Sequence, residues 1–166
     1  MPRFSREELT QAFATFEATV AEAAASRDWN AWVRHYTPDV DYIEHAMGTM
    51  KGRDEVLAWI TRTMGTFPGS YMTEFPSLWS VIDEDTGRVI CELDNPMRDP
   101  GDGTVISATN ISIVTYAGDG LWSRQEDIYN PLEFLQAGIA WCTKARELGT
   151  LDDEAASWLE QMGGAK

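Results

Sequence analysis

Between residues 70 and 131 the chain is punctuated as four strands and their turns. "SYMTEFPSLWSVID" and "RVICELDNP" are joined by the turn "EDTG", and "TVISATNISIVTY" and "LWSRQEDIYNP" by "AGDG". "RDPGDG" links the two pairs through Pro and Gly. Connections this short carry no crossover, so the runs pair as antiparallel hairpins. A short strand around residues 40 to 47 brings the expected number to about five.

Helical periods flank these strands. Ser5 and Glu8 have the spacing of a capping box, and Leu9, Phe13, Phe16 and Val20 mark one face of a helix running to about Ala25. Asp28 is placed to cap a short second helix carrying Trp29, Trp32, Val33 and Tyr36, with Pro38 at its end. Val56, Leu57, Ile60 and Met64 mark a third after Gly52, closed by Gly65. Pro131 opens a fourth with Phe134, Leu135, Ile139 and Trp141, and "LDDEAASWLEQM" adds a short amphipathic helix. The fold class is therefore α+β, with N-terminal helices over one face of a mostly antiparallel sheet. The other face is also rich in Ile, Val and Trp, which points to a homodimer packed sheet to sheet. Residues 1–166 read as one domain, with 150–166 as a C-terminal helical tail.

Charge narrows the partners. Lys and Arg total 13 against 27 Asp and Glu, a formal charge of −14 that repels phosphate backbones and anionic lipid. Neither nucleic acid nor membrane is expected as a partner, and no run approaches the roughly 20 apolar residues of a membrane span. "MPRFSREELT" lacks the apolar core of a signal peptide, so the expected location is cytoplasmic. Cys91 and Cys142 form no CxxC or CxxH spacing and read as reduced core thiols. His35 and His45, the only histidines, belong to no HxH or HExxH pattern, so neither a metal nor another cofactor is expected.

"DWNAWVRHYTPDVDYIEHAMGTMKGRDEVLAWI" resembles the opening of SnoaL-like proteins of the NTF2-like superfamily, which run from a "W…F/Y-x-x-D-x-x-Y" step to a "G-x-x-x-G-R-x-x-I" helix start. "GLWSRQEDIYNP" is similar to their final strand, and the resemblance covers roughly residues 5 to 140. It implies a cone: a curved sheet wrapping an apolar pocket, closed by helices, with an additional C-terminal helix here. It also implies metal-free proton transfer by one or two carboxylates or a histidine inside the cone, where desolvation raises a carboxyl pKa.

Strand alternation sorts the candidates. Tyr42 and Glu44 share one face of their strand, and Ile43 and His45 the other. Matched to limonene-epoxide hydrolases, Tyr42 and Glu44 face the pocket; matched to ketosteroid isomerases, His45 does. In "RQEDIYNP" the alternation groups Gln125, Asp127 and Tyr129 opposite Arg124, Glu126 and Ile128, and the resemblance to both epoxide hydrolases and SnoaL-type cyclases puts Asp127 into the cone. Asp127, Glu44 and His45 are thus the catalytic candidates. Tyr42, Tyr129, Asn95 and Asn110 are candidate substrate contacts, with Asn95 also readable as a turn residue before Pro96. Trp32, Tyr36 and Trp59 would roof the cone. The strand "RVICELDNP" has no arginine inside it, Arg88 and Arg98 lying near its ends, so the Asp-Arg-Asp set of epoxide hydrolases is incomplete, and the first helix lacks the tyrosine of steroid isomerases. The expected function is a cofactor-independent enzyme that moves protons on a small apolar oxygenated ring compound by hydration, dehydration, isomerisation or cyclisation. The alternative is a non-catalytic binder of small hydrophobic molecules.

Overall fold

The computed structural model describes residues 3–163, so residues 164–166 of the C-terminal tail lie outside the described residues. Its helices are α1 (Arg6–Ser26), α2 (Asn30–Val33), α3 (Gly52–Thr63), α4 (Pro131–Leu148) and α5 (Asp153–Gln161). Its strands are β1 (Tyr36–Glu44), β2 (Gly48–Lys51), β3 (Ser77–Asp83), β4 (Arg88–Pro96), β5 (Ser107–Gly118) and β6 (Leu121–Ile128). The strands form one curved, unclosed sheet in the order β2-β1-β6-β5-β4-β3. Only β1 and β6 run parallel; every other neighbouring pair is antiparallel. The fold is α+β, as the sequence pattern requires.

α1 and α4 begin where their capping residues place them, whereas the N-cap of α2 is Trp29 and not Asp28, whose carboxylate accepts from the Asn30 amide at 3.0 Å. Ser5 accepts a hydrogen bond from the Glu8 amide at 3.1 Å, and Leu9, Phe13 and Phe16 of α1 face inward. Asn130 caps α4 through the Leu132 amide at 3.1 Å, with Pro131 in the first turn. Gly52 has φ +78°, and a Cβ there would stand 3.1 Å from the Pro38 carbonyl. The glycine lets the chain turn from β2 into α3 directly beneath β1. Arg53, next to it, donates to the carbonyls of Tyr36 at 2.7 Å and Arg34 at 3.2 Å, fixing the α2–β1 junction.

Three expectations need correction. The second helix is one turn, and Tyr36 and Pro38 belong to β1 instead. Between Tyr36 and Asp41 the β1–β6 register shifts, so no ladder bond requires the amide that Pro38 lacks. Residues 48–51 form β2, a short edge strand hairpinned to β1, which makes six strands rather than about five. The run from Ser70 becomes strand only at Ser77, after a 3-10 turn at Gly69–Tyr71.

Two apolar clusters hold the layers together. One lies between α1–α3 and the concave sheet face, around Phe13, Phe16, Trp32, Tyr36, Val56 and Trp122. The other lies under α4 and α5, around Phe67, Tyr71, Met97, Trp141, Cys142 and Leu159. The second is clamped by Arg98, whose guanidinium sits 3.6 Å over the Tyr71 ring and pairs with Asp152 at 2.7 Å. Tyr71 donates to the same carboxylate, and Glu154 accepts from the Phe67 amide at 2.8 Å. Cys91 and Cys142 are both free and buried. Among the described residues no helix is long and apolar enough to cross a membrane.

The convex face carries Val81 beside Ile90 and Ile113, and Trp79 beside Glu92 and Ile111. Trp79 is 45% and Val81 55% exposed.

α4 and α5 approach each other at Gly138, where a Cβ would lie 2.8 Å from the Trp158 ring. Gly138→Ala is expected to displace Trp158 and cost about 1–3 kcal/mol, as overpacking does. Thermal unfolding measures this; an unchanged midpoint would show that α5 can shift freely on α4.

Candidate active site

α1, α2 and α3 and the concave sheet face enclose a cavity of about 500 Å³. Phe13, Phe16, Trp29, Trp32, Trp59 and Phe75 make most of its wall aromatic. Phe67, Pro68, Met72 and Phe134 extend the wall towards α4, and exposed Met47, Arg62, Thr66 and Pro131 form a rim. The polar groups gather on the sheet. Cys91, Ser112, Asp127 and Glu44 stand side by side on β4, β5, β6 and β1, on the concave face. Gln125 and Tyr42 form the adjacent row.

Asp127 is the centre of this array, 9% exposed and on the cavity wall. Its Oδ1 accepts from the Ser112 hydroxyl at 2.5 Å and from the Gln125 amide at 3.0 Å, and its Oδ2 accepts from the Tyr42 hydroxyl. Burial pushes the Asp127 pKa up, the three donors pull it back, and the neighbouring Glu44 adds to the rise. Burial and the Asp127 charge hold the Tyr42 and Tyr36 hydroxyls protonated, well above the usual tyrosine range.

Glu44 is 3% exposed and also lines the cavity. Its Oε2 accepts from the Met47 amide and so closes the β1–β2 turn, while its Oε1 has no hydrogen-bond partner. Tyr129 stands beside it, its pKa raised by burial and then by the Glu44 carboxyl. The indole N–H groups of Trp32 and Trp59, on the same cavity, are likewise buried without a partner.

Of the sequence-derived candidates, Asp127, Glu44, Tyr42, Tyr129, Asn95, Asn110, Trp32 and Trp59 all line the cavity. Tyr36 does not; it lies behind the wall and donates to Gln125 Oε1 at 2.5 Å. His45 is a correction. It follows the last residue of β1 on the convex side, half-exposed, with Nε2 2.9 Å from Glu126. Alternation from Glu44 turns it away from the cavity, and no bulge intervenes to reverse this. Asn95 is no turn residue: it is buried within β4, its amide donating to the Asn110 Oδ1 at 2.9 Å.

Ser112 and Gln125 are the site residues that sequence reasoning left unassigned. Gln125 already shared a face with Asp127 by alternation, and Ser112 shares one with Asn110. Either could have been found by asking which neighbours would satisfy a buried carboxylate.

Residues 16–125 match the family model of the SnoaL-like domain. Solved structures share the fold at low identity. A proposed isomerase from Bacillus subtilis aligns at 17% identity over 79% of this chain and 92% of its own, with a TM-score of 0.61. A proposed polyketide cyclase from Xanthomonas campestris pv. campestris aligns at 18% over 80% and 97%, TM-score 0.59. A protein of ketosteroid isomerase-like fold from Catenulispora acidiphila, solved with trimethylamine, aligns at 19% over 80% and 93%, TM-score 0.58. No curated protein matches. At these identities the structural likeness is one of fold.

A buried carboxyl with a raised pKa makes a sign-specific prediction. Below the ordinary Asp value of 3.8 the group is protonated folded and unfolded, and costs nothing. As pH rises through the raised folded value the charged form must be buried, so wild-type stability falls relative to Asp127→Asn. Melting curves from below pH 3.8 to neutrality should show the variant gaining on the wild type. A constant difference would mean that Asp127 is solvated.

Proposed function

The chain belongs to the SnoaL-like family, and we propose that it is a cofactor-independent enzyme transferring protons on a small, apolar, oxygen-bearing ring compound. The observation that carries this reading is the Asp127 carboxylate, buried in the wall of an aromatic cavity beside Glu44. A carboxylate in such a place is expensive unless it is used or fully neutralised. Asp127 is the acid-base group in this proposal. Glu44 assists it, with Tyr129 the hydroxyl beside it. Tyr42, Tyr129, Trp32 and Trp59 orient the ligand. The isomerase- and cyclase-type proteins of the same fold do not settle the reaction, but they belong with this class of chemistry.

A second reading, a non-catalytic binder of small hydrophobic molecules, draws on one observation. Asn95, Asn110 and Ser112 bond to one another rather than pointing unpaired at open volume. The same experiment separates the two. An enolisable bicyclic ketone, 2-tetralone, is incubated with the protein in D₂O, and loss of its α-protons is followed by NMR. Catalysed exchange in the wild type, reduced about 10²–10⁴-fold in Asp127→Asn, supports the enzyme. The variant should still show quenching of tryptophan fluorescence by the ketone. Exchange at the wild-type rate in Asp127→Asn would remove Asp127 from the mechanism. Quenching without exchange would favour the binder.

We also propose that a second copy of this chain covers the convex face, because Val81 continues the apolar row of Ile113 and Ile90 to the sheet edge, with exposed Trp79 beside it. Light scattering is expected to give a dimer for the wild type and a monomer for Val81→Asp. A monomeric wild type would end this proposal.

A further inference from the structure

The hydrogen bonds that reach Asp127 have a direction. On one side, Asn95 Nδ2 donates to the Leu93 carbonyl at 3.3 Å, the Ala108 carbonyl at 3.1 Å and Asn110 Oδ1 at 2.9 Å. Carbonyl oxygens only accept, so the Asn95 amide has one orientation. Asn110 must then present its own Nδ2 to Ser112 Oγ, at 3.0 Å. With Oγ accepting there, the Ser112 proton is directed at Asp127.

On the other side the carboxylate itself sets the orientation. Gln125 turned over would bring its Oε1 against Asp127 Oδ1, two acceptors with no hydrogen between them, so Nε2 donates to Asp127 Oδ1 and to the Tyr42 hydroxyl at 3.1 Å. Gln125 Oε1 is then left to accept from the Tyr36 hydroxyl. Tyr42, accepting from Gln125, spends its proton on Asp127 Oδ2.

We propose that Ser112 and Gln125 are positioning residues whose two donor chains commit Asp127 to receiving a proton from the bound compound. This rests on the enzymatic reading above. An ionised carboxylate has roughly four lone-pair positions. Ser112, Gln125 and Tyr42 fill three, leaving one for the ligand in the cavity. A ligand completing this set brings a hydrogen, and in an oxygenated ring compound of the class proposed above that carries a carbonyl, the hydrogen a carboxylate can remove is the one α to that carbonyl. In the step, the C–H bond breaks, its proton passes to Asp127, and its electron pair moves into the carbonyl to give an enolate. Asp127 then returns the proton to a carbon of the enolate, and no oxidant or reductant is needed.

The ionisable groups facing Asp127 are consistent with this direction. Tyr36, Tyr42 and Glu44 come from β1, Tyr129 from the end of β6, and Cys91 from β4, while Glu17 of α1 and Arg62 of α3 line the same cavity. The three tyrosines are shifted up and Cys91 is pushed to about 12, so none of these four competes for the base role near neutrality.

The test reads Asp127 directly. In protein labelled with ¹³C at aspartate carboxyls, the Asp127 signal is assigned by its loss in Asp127→Asn and followed against pH. The wild type should be ionised at pH 7. Ser112→Ala and Gln125→Leu should each raise the midpoint by about one to two pH units, the worth of one hydrogen bond to a charge. Asn110→Ala, which frees the Ser112 hydroxyl to turn, should raise it less, and Ser112→Thr should restore it. The acid limb of 2-tetralone exchange should move up with the midpoint in Ser112→Ala, which a merely structural role would not produce. Protonated Asp127 in the wild type at pH 7, or a midpoint that Ser112→Ala leaves in place, overturns the proposal. The wild-type signal keeps it falsifiable even where a variant does not fold. Absence of exchange alone counts against the enzymatic reading, because the titration is read without substrate.

Discussion

A carboxylate buried in the middle of a sheet constrains everything around it. Asp127 lies on β6, between parallel β1 and antiparallel β5, where no water-exposed edge is within reach. Charge-assisted hydrogen bonds are the means of holding it there, and they come from both sides: Tyr42 on β1, Ser112 on β5 and Gln125 on its own strand. Each donor must face the cavity, so the registers of three strands are fixed together. A slip of β6 by one residue would turn Arg124 and Glu126 inward and leave the donors of β1 and β5 unpaired. The atoms that hold the carboxylate also set the strand registers.

The partition of charged groups between the two faces follows from that register. Arg124 and Glu126 pair on the convex side at 3.0 Å, and His45 joins Glu126 there. The surplus acidic charge of the chain is thus largely solvated outside, while Asp127 and Glu44 remain inside without an ion pair. Nothing on the protein neutralises them by full charge, and oriented dipoles serve instead. Dipoles of fixed orientation stabilise a charge without the reorganisation that water requires.

How much of this was legible in the sequence depended on range. Period-two alternation gave the right faces for Tyr42, Glu44, Gln125, Asp127 and Tyr129, because side-chain direction along one strand is a local property. It also held the resolution of the Glu44–His45 ambiguity, since two adjacent residues cannot both face inward without a bulge. Pro38 misled because its usual effect, ending a helix, hides its tolerance in a strand segment without ladder bonds. β2 was missed because four residues with Gly48 at one end carry too little pattern to mark a strand. Ser112 and Gln125 are inconspicuous singly; their roles exist only through a carboxylate on a neighbouring strand position. The second apolar cluster was equally invisible, because Arg98 and Asp152 meet across more than fifty residues of chain.

That second cluster bears on the site through solvent. The family match ends at Gln125, whereas Pro131 and Phe134 of α4 line the cavity, and Phe67 joins it to the α4–α5 core. Phe67 is held from both sides, its amide by Glu154 and its ring against Tyr71, Trp141 and Trp158. The C-terminal helices therefore brace the part of the wall that Phe67 and Phe134 form. An electrostatic array of this kind weakens as water enters, since the effective dielectric rises and each donor loses strength. The strength of the Asp127 network is then set partly by packing on α5, a helix that makes no contact with the carboxylate. Loosening that packing would soften the site without touching any residue of it.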